Sequence, residues 1–343
     1  MKFQSVLIVV TERCHVGCRH CGYIGKPRDR EMTEDELKLW VRQIITYGVP
    51  VIIFTGGEPF ERYDVLAAGV RTTREAGGSA AVFTSSFWAT SREEAVRGLE
   101  GLGGLDHIYL STDMYHKERV PVDNVRHAIE AALGLGMSVR LVISYTKDED
   151  LAAIRQEYTD YASRITVHPQ RVIPNRWLDT KIFRNQSRQQ PLNPDAYSHT
   201  CFLGTPLINP NGDLFACHLG KGRRPGTGDD PYLLGNLRGA CFEDVMGDAS
   251  LRADYQYLRT HGPRGVVEAM DAHQPIVLRE AGRSEFTSAC DMCTTVLNTT
   301  SGAREFRAFA ERHLDEIDIR LVLSLHESSA FRARNAAQAS AGE

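Results

Sequence analysis

Between Ser5 and Val172 the sequence alternates short, β-branched apolar runs with amphipathic segments of helical period. That alternation leaves few folds open. Ser5–Val10, Val51–Thr55, Ala80–Ser85, His107–Ser111, Ser138–Ser144 and Ile165–Val172 read as strands. Thr33–Tyr47, Tyr63–Ala76, Ser91–Leu102, Val122–Leu135 and Glu149–Ala162 read as the helices between them. Thr33 and Glu36 have the spacing of a capping box, and Leu37, Val41, Ile44 and Ile45 fall on one face. Gly77-Gly78 and Gly136 stop two of the helices. Strands joined by helical crossovers must run parallel. Right-handed crossovers curl such a sheet into an open or partial barrel, so the predicted class is α/β with six β/α units. Chemistry in these folds sits on the loops after the strand C-termini. Those loops carry Cys14–Cys21, Gly56–Pro59, Ser85-Ser86 and Ser111–His116.

Composition removes several classes. With 42% hydrophobic and 24% charged residues the 343-residue chain can bury a core. Its net charge of -4 gives no reason to expect nucleic acid as a partner. No apolar run approaches a membrane span, and the N-terminus reads as a strand rather than a secretion signal, so a cytoplasmic location is expected. Reducing compartments disfavour disulfides, and the eight cysteines are bunched. Such grouping favours metal.

Cys14, Cys18 and Cys21 form C-x3-C-x2-C. Three thiolates from one tight loop suit three irons of a [4Fe–4S] cluster and leave the fourth iron open. Zinc is the competing reading, with His15 or His20 as fourth ligand. A zinc-binding interaction module and a cluster-bearing electron carrier are the readings outside this chemistry. The Gly56-Gly57-Glu58-Pro59 loop and the β/α repeat disfavour the first, and the missing fourth cysteine disfavours the second.

The C-x3-C-x2-C loop after strand one, with GGEP after strand two, resembles the radical S-adenosylmethionine (SAM) superfamily. The resemblance covers residues 1–175 and implies a partial (β/α)6 barrel. It implies that SAM binds the open iron, and that one electron cleaves it to methionine and a 5'-deoxyadenosyl radical that abstracts hydrogen. It also implies cofactor contacts: Gly56, Gly57 and Glu58 toward the methionine amino group, and Ser85, Ser111 and Asp113 toward the SAM carboxylate or ribose. Arg140 is a further candidate for that carboxylate. Tyr115 and His116 are expected to face substrate. For the strand-end hydroxyls, capping of backbone groups is the structural alternative.

Cys201 and Cys217 flank Asn211-Gly212, a hairpin turn between Leu207–Asn209 and Leu214–Ala216, and Cys290-Asp-Met-Cys293 adds two thiols. Four thiolates suit an iron–sulfur or a zinc site. In context this pattern resembles the SPASM and twitch extensions of radical SAM enzymes, closer to the one-cluster twitch form. The resemblance implies an auxiliary cluster, of [4Fe–4S] type, on Cys201, Cys217, Cys290 and Cys293. The expected domains are a barrel at 1–175, a connector at 176–200, an α+β auxiliary-cluster domain at 201–323 with a closing helix from Gly302, and a tail at 324–343. Phe54–Glu58, Ser86–Trp88, Tyr115-His116, the cysteine hairpin and the region from Cys290 to Arg307 resemble epipeptide-type radical SAM peptide epimerases. Twitch-containing antibiotic-pathway enzymes are similar in arrangement.

Cys241 is left over. An epimerase returns hydrogen from a thiol, which makes Cys241 a candidate donor; the structural alternative is a small buried residue at a helix start. His218 stands where the epimerase pattern often has a second cysteine. The resulting expectation is hydrogen abstraction from a peptide or glycoside-like natural product, leading to epimerisation. The alternative is two-electron oxidation, by dehydrogenation or oxidative decarboxylation, with the auxiliary cluster accepting the electron. The partners expected are that substrate and an electron donor such as flavodoxin or ferredoxin, with no nucleic acid and no membrane. Because few residues precede Cys14, no leader-peptide-binding domain is expected ahead of it.

Overall fold

The computed structural model describes residues 3–21, 31–172, 205–218, 230, 232–273, 290, 293, 297 and 300–315. It divides into two compact units: of the described residues, the first holds 3–172, 205–218 and 232–248, and the second holds 230 and those from Ala249 on.

The first unit is built on β1 (Ser5–Thr11), α1 (Glu34–Thr46), β2 (Val51–Gly56), α2 (Tyr63–Glu75), β3 (Ser79–Thr84), α3 (Arg92–Glu100), β4 (His107–Thr112), α4 (Val122–Gly134), β5 (Ser138–Tyr145), α5 (Asp148–Glu157) and β6 (Thr166–Arg171). These strands pair in parallel in chain order, which bears out the α/β expectation. The helix starts follow from local chemistry. Thr33 and Glu36 make both hydrogen bonds of the capping box, and the Ser91 hydroxyl accepts from the Glu94 N–H.

The alternation of the strands divides the sheet into two faces. Ile8, Phe54, Val82, Ile108 and Val139 are successive cross-strand neighbours, each less than 5% exposed. Their face is the one the helices cover. A Cβ on Gly69 of α2 would stand 2.7 Å from the Phe54 ring and 2.8 Å from Leu37 of α1. Burying each such side chain contributes about 1.5–3 kcal/mol. One residue further along, the opposite face presents Phe83, Tyr109 and Arg140, which are half-buried or exposed.

The sheet does not stop at β1. Strands β7 (Leu207–Ile208), β8 (Asp213–Phe215) and β9 (Leu233–Asn236) extend it to nine strands in the order β6-β5-β4-β3-β2-β1-β7-β8-β9. The hairpin expected around Asn211-Gly212 is present, with Gly212 at φ 83°, a left-handed value glycine adopts freely. Its strand β7 pairs in parallel with β1 through Leu7–Leu207 and Ile8–Ile208, so β1 has a neighbour on both edges. The cysteine pattern places this hairpin in the later segment, and a two-residue strand carries no sequence signal of its partner. Helix α6 (Phe242–Ser250) follows, with Phe242 fully buried against Tyr47 of α1.

In the second unit α7 (Ala253–His273) is interrupted at Gly262, φ 67°, before Pro263. Helix α8 (Thr300–Arg312) packs on it: Tyr257 meets Phe306 and Phe309 edge-on and stacks on His261. Asp254, 2% exposed, pairs with Arg252 at 2.8 Å and Arg307 at 3.3 Å. No described helix is long and apolar enough to cross a membrane.

Candidate functional site

The cysteine loop leaves the C-terminal end of β1 and is closed against the end of β2 by backbone contact. The Gly57 N–H donates to the Thr11 carbonyl and the Glu58 N–H to the Arg13 carbonyl, both at 2.7 Å. A Cβ on Gly56 would lie 2.4 Å from the Thr11 oxygen, and one on Gly57 2.1 Å from the Arg13 oxygen. These two glycines are therefore required by the approach of the cysteine loop itself.

Within the loop Gly17 takes φ 64° and the Cys21 N–H donates to the Cys18 carbonyl at 2.9 Å, a turn that gathers the thiols. Val16, Cys18 and Val120 form a small apolar cluster against which Cys14, Cys21 and Phe87 pack. All three cysteines are free of disulfides. Burial raises the Cys14 thiol to about 11, and the Cys21 and Glu58 side chains add to the rise. Three thiols in one pocket lined by valine and phenylalanine fit an iron–sulfur cluster by donor type and number.

Glu58 is held inside the protein. It is 1% exposed, and its oxygens accept from the Phe60 N–H, the Thr84 hydroxyl, and both the N–H and the hydroxyl of Ser85, the last at 2.6 Å. Burial raises its carboxyl above the ordinary value against the pull of those donors. Glu58 thus ties β2 to β3, and the Ser85 hydroxyl is spent on that tie. The Ser85 hydroxyl, at a strand end, satisfies a neighbouring carboxylate. Next to it Ser86 has φ 68°, a left-handed value rare for serine, and its buried hydroxyl has no hydrogen-bond partner.

After β4, the Asp113 carboxylate shapes the loop. Oδ1 accepts from the backbone N–H groups of Tyr115 and His116, both at 2.8 Å. Oδ2 accepts from His116 Nδ1 at 2.6 Å and lies 3.5 Å from His20 Nε2. Burial acts to raise the Asp113 carboxyl, but His116 and His20 outweigh it and hold the group below its usual value. Burial acts to lower His116, and the Asp113 carboxylate more than reverses this, so the imidazole lies well above its usual value. Tyr115 shares a hydrogen bond with Thr146 at 3.0 Å and has its ring 5.1 Å from that of His20. Ser111 lies on the open face with Tyr109, and Arg140 holds its guanidinium 5.3 Å from the Tyr109 ring. Arg140 thus lies on the open face of the sheet.

The structure brings together Cys14, Cys18, Cys21, Gly56, Gly57, Asp113 and His116. It does not bring Cys241 to them. Cys241 precedes α6, where its sulfur donates to Asp244 Oδ2 at 3.0 Å and its carbonyl accepts the Val245 N–H, as a helix cap does. Phe242 beside it bonds to Gln43 and touches Tyr47. Those residues lie in the last turn of α1 and at its C-terminal cap, near the strand edge opposite the cysteine loop. A seven-residue strand at about 3.3 Å per residue separates the two edges by about 20 Å. Of the second cysteine group, Cys201 lies outside the described residues. Cys217 is buried just after β8, and Cys290 and Cys293 are both helical, the latter buried. Sequence reasoning missed His20 as a partner of Asp113 and treated it only as a zinc ligand. Its position between two of the clustered cysteines was the available signal.

Residues 8–156 match the Radical SAM superfamily. The chain is 21% identical over 321 residues to the putative peptide biosynthesis protein YydG of Bacillus subtilis (strain 168), covering 91% of this chain and 98% of that protein. The solved structure of native anSMEcpe with bound AdoMet aligns at a TM-score of 0.53 and 11% identity, over 92% of this chain and 99% of that one. Streptococcus suis SuiB bound to S-adenosylmethionine aligns at a TM-score of 0.53 and 15% identity, over 71% of this chain and 65% of SuiB. This chain thus spans just under two thirds of the length of SuiB. At such identities the likeness to the solved structures is one of fold.

Proposed function

We propose, on the premise that this chain contains a radical SAM domain and is an enzyme of that superfamily, that it modifies a peptide by hydrogen abstraction at an unactivated carbon. The observation that carries the reading is the three-thiol loop closed on the backbone of Gly56-Gly57-Glu58. The peptide substrate rests on the likeness to YydG across nearly the whole chain. A [4Fe–4S] cluster on Cys14, Cys18 and Cys21 with SAM on its open iron supplies one-electron cleavage of SAM and the radical that abstracts hydrogen. The chain's own residues hold and screen that chemistry. Val16, Val120 and Phe87 pack against the thiols, and Glu58 fixes the β2–β3 end through Thr84 and Ser85. The unpartnered Ser86 hydroxyl offers a polar group at the strand ends, and Ser111 and Arg140 offer others on the open face. Cys201, Cys217, Cys290 and Cys293 are proposed to hold an auxiliary iron–sulfur cluster in a twitch-like extension, and a flavodoxin or ferredoxin to deliver the electron.

Epimerisation is the outcome the sequence resemblance favours. The cap position of Cys241 argues against this residue as hydrogen donor, and that observation favours the second reading, two-electron oxidation. Replacing Cys14, Cys18 and Cys21 by Ala together should abolish SAM cleavage under strong reductant and leave about half of the reconstituted iron. Retained cleavage rejects the radical reading. With a peptide substrate in deuterated water, one solvent deuterium in the product indicates epimerisation, and a product two hydrogens lighter indicates oxidation.

A further inference from the structure

The proposed reaction makes no use of three buried side chains beside the cysteine loop. Asp113, His116 and His20 have side chains 1%, 14% and 11% exposed, and their ligand-type atoms lie within 4.8 Å of one another. The carboxylate is used on both oxygens. Oδ1 folds the loop after β4 by taking two backbone N–H groups, and Oδ2 takes the His116 imidazole at 2.6 Å with His20 Nε2 at 3.5 Å. The two rings stand 5.2 Å apart. His20 lies within the cysteine motif, one residue before Cys21. His116 is engaged through Nδ1 by Asp113, and Val120, further along the same loop, packs with Val16 and Cys18.

We propose that Asp113 is a positioning residue for the first cluster: acting through His20, one residue from Cys21, and through the loop after β4 whose Val120 packs on Cys18, it holds the three-thiol loop in the shape that receives iron. This rests on the assignment of Cys14, Cys18 and Cys21 as cluster ligands. Two competing roles fit the geometry less well. A SAM contact needs a carboxylate oxygen presented to the ligand, and Asp113 is 1% exposed with its donors already in place. A separate metal ion would have to displace the Asp113–His116 hydrogen bond that orders the loop. Outer partners of metal ligands are known to matter: their removal typically costs about 10–100-fold in metal affinity.

Asp113→Asn separates the functions within this one side chain. Its remaining oxygen still accepts the Tyr115 and His116 N–H groups, so the loop folds, while its amide nitrogen cannot accept from either imidazole. The full chain is reconstituted anaerobically with iron and sulfide. Iron uptake, the electron paramagnetic resonance of the reduced cluster and the SAM dissociation constant are then compared with wild type. We expect uptake at the first site at least about tenfold slower or weaker, a broadened resonance, and SAM affinity of the loaded fraction within about threefold of wild type. His20→Gln, which keeps a side-chain donor for Asp113, should lose less uptake than His20→Ala. Wild-type uptake and resonance with lost SAM affinity would overturn the proposal in favour of a SAM contact. A bound ion that is not part of a cluster and disappears in Asp113→Asn would overturn it in favour of a separate metal site. The underlying cluster assignment fails separately, if the triple cysteine variant takes up as much iron as wild type.

Discussion

The two flanks of β1 are held by different forces. On the β2 side six residues of β1 find parallel partners, and the contact behind them is apolar and closed, running through Ile8, Phe54, Val82 and Ile108. On the β7 side only Leu7 and Ile8 pair, and the attached hairpin is fixed by polar side chains. Asn209 Oδ1 accepts the N–H groups of Asn211 and Asp213, and Asn236 Nδ2 donates to Asp213 and to the Asn211 carbonyl. Arg238 then reaches across to α1, bonding Glu36 through Nε at 2.7 Å and the Pro210 carbonyl at 2.8 Å. A long parallel ladder sets its register by hydrophobic burial. A hairpin of two- and three-residue strands has too few pairs for that, and side-chain hydrogen bonds specify it instead.

The sharpest way to break this contrast is Gly57→Ala. The added methyl would meet the Arg13 oxygen at 2.1 Å, backbone against backbone, with no flexible side chain to yield. We expect a loss of about 3 kcal/mol or more in chemical denaturation, with the cysteine loop displaced and iron uptake lost. On the other flank, Asn209→Ala should cost about 1–3 kcal/mol, since it leaves two backbone N–H groups in the hairpin without their acceptor. Hydrogen exchange should then rise across β7–β9 while β2–β5 keep their protection. Equal loss on both flanks would show that one force holds the whole sheet.

A smaller effect is expected from Glu36→Gln, and it depends on pH. Hydrogen bonds from Arg238 lower the Glu36 carboxyl from 4.5 to about 2. Because the folded value lies below the unfolded one, the contribution of this pair is whole above about pH 4.5 and is lost as pH falls toward 2. The stability gap between wild type and Glu36→Gln in the cluster-free chain should therefore be about 1 kcal/mol at pH 6 and should close on acidification. Smallest of all, Cys241→Ser should change stability by less than about 0.5 kcal/mol, because serine caps a helix at least as well. It should leave iron uptake unchanged.

The same contrast decides what could be read from sequence. The six parallel strands and their helices were legible because burial on one face imposes a period, and Thr33, Glu36 and Ser91 mark helix starts by local chemistry. The cysteine loop and Gly56-Gly57 were legible as a pair of motifs, although the close approach of the Thr11 and Arg13 carbonyls that requires glycine was not. The occupation of Glu58 by Thr84 and Ser85 lies across two strands, and no spacing encodes it. The Arg238–Glu36 pair joins residues about two hundred positions apart, where a single arginine among many gives no signal. Cys241 was legible as unclaimed, but its distance from the loop depends on how α6 packs against α1.

The pairing of β1 with β7 also sets an order of events during synthesis. The strand that launches the cysteine loop meets its second neighbour only when Leu207 has been made. At about 5–20 residues per second, the roughly two hundred intervening residues take about 10–40 s, during which β1 has an unpaired edge. A bare apolar edge beside three thiols is open to wrong strand pairing and to oxidation. The newborn chain therefore passes through a window in which the strand leading into the thiol loop is incompletely paired, and the hairpin that ends this window contributes none of the three thiols.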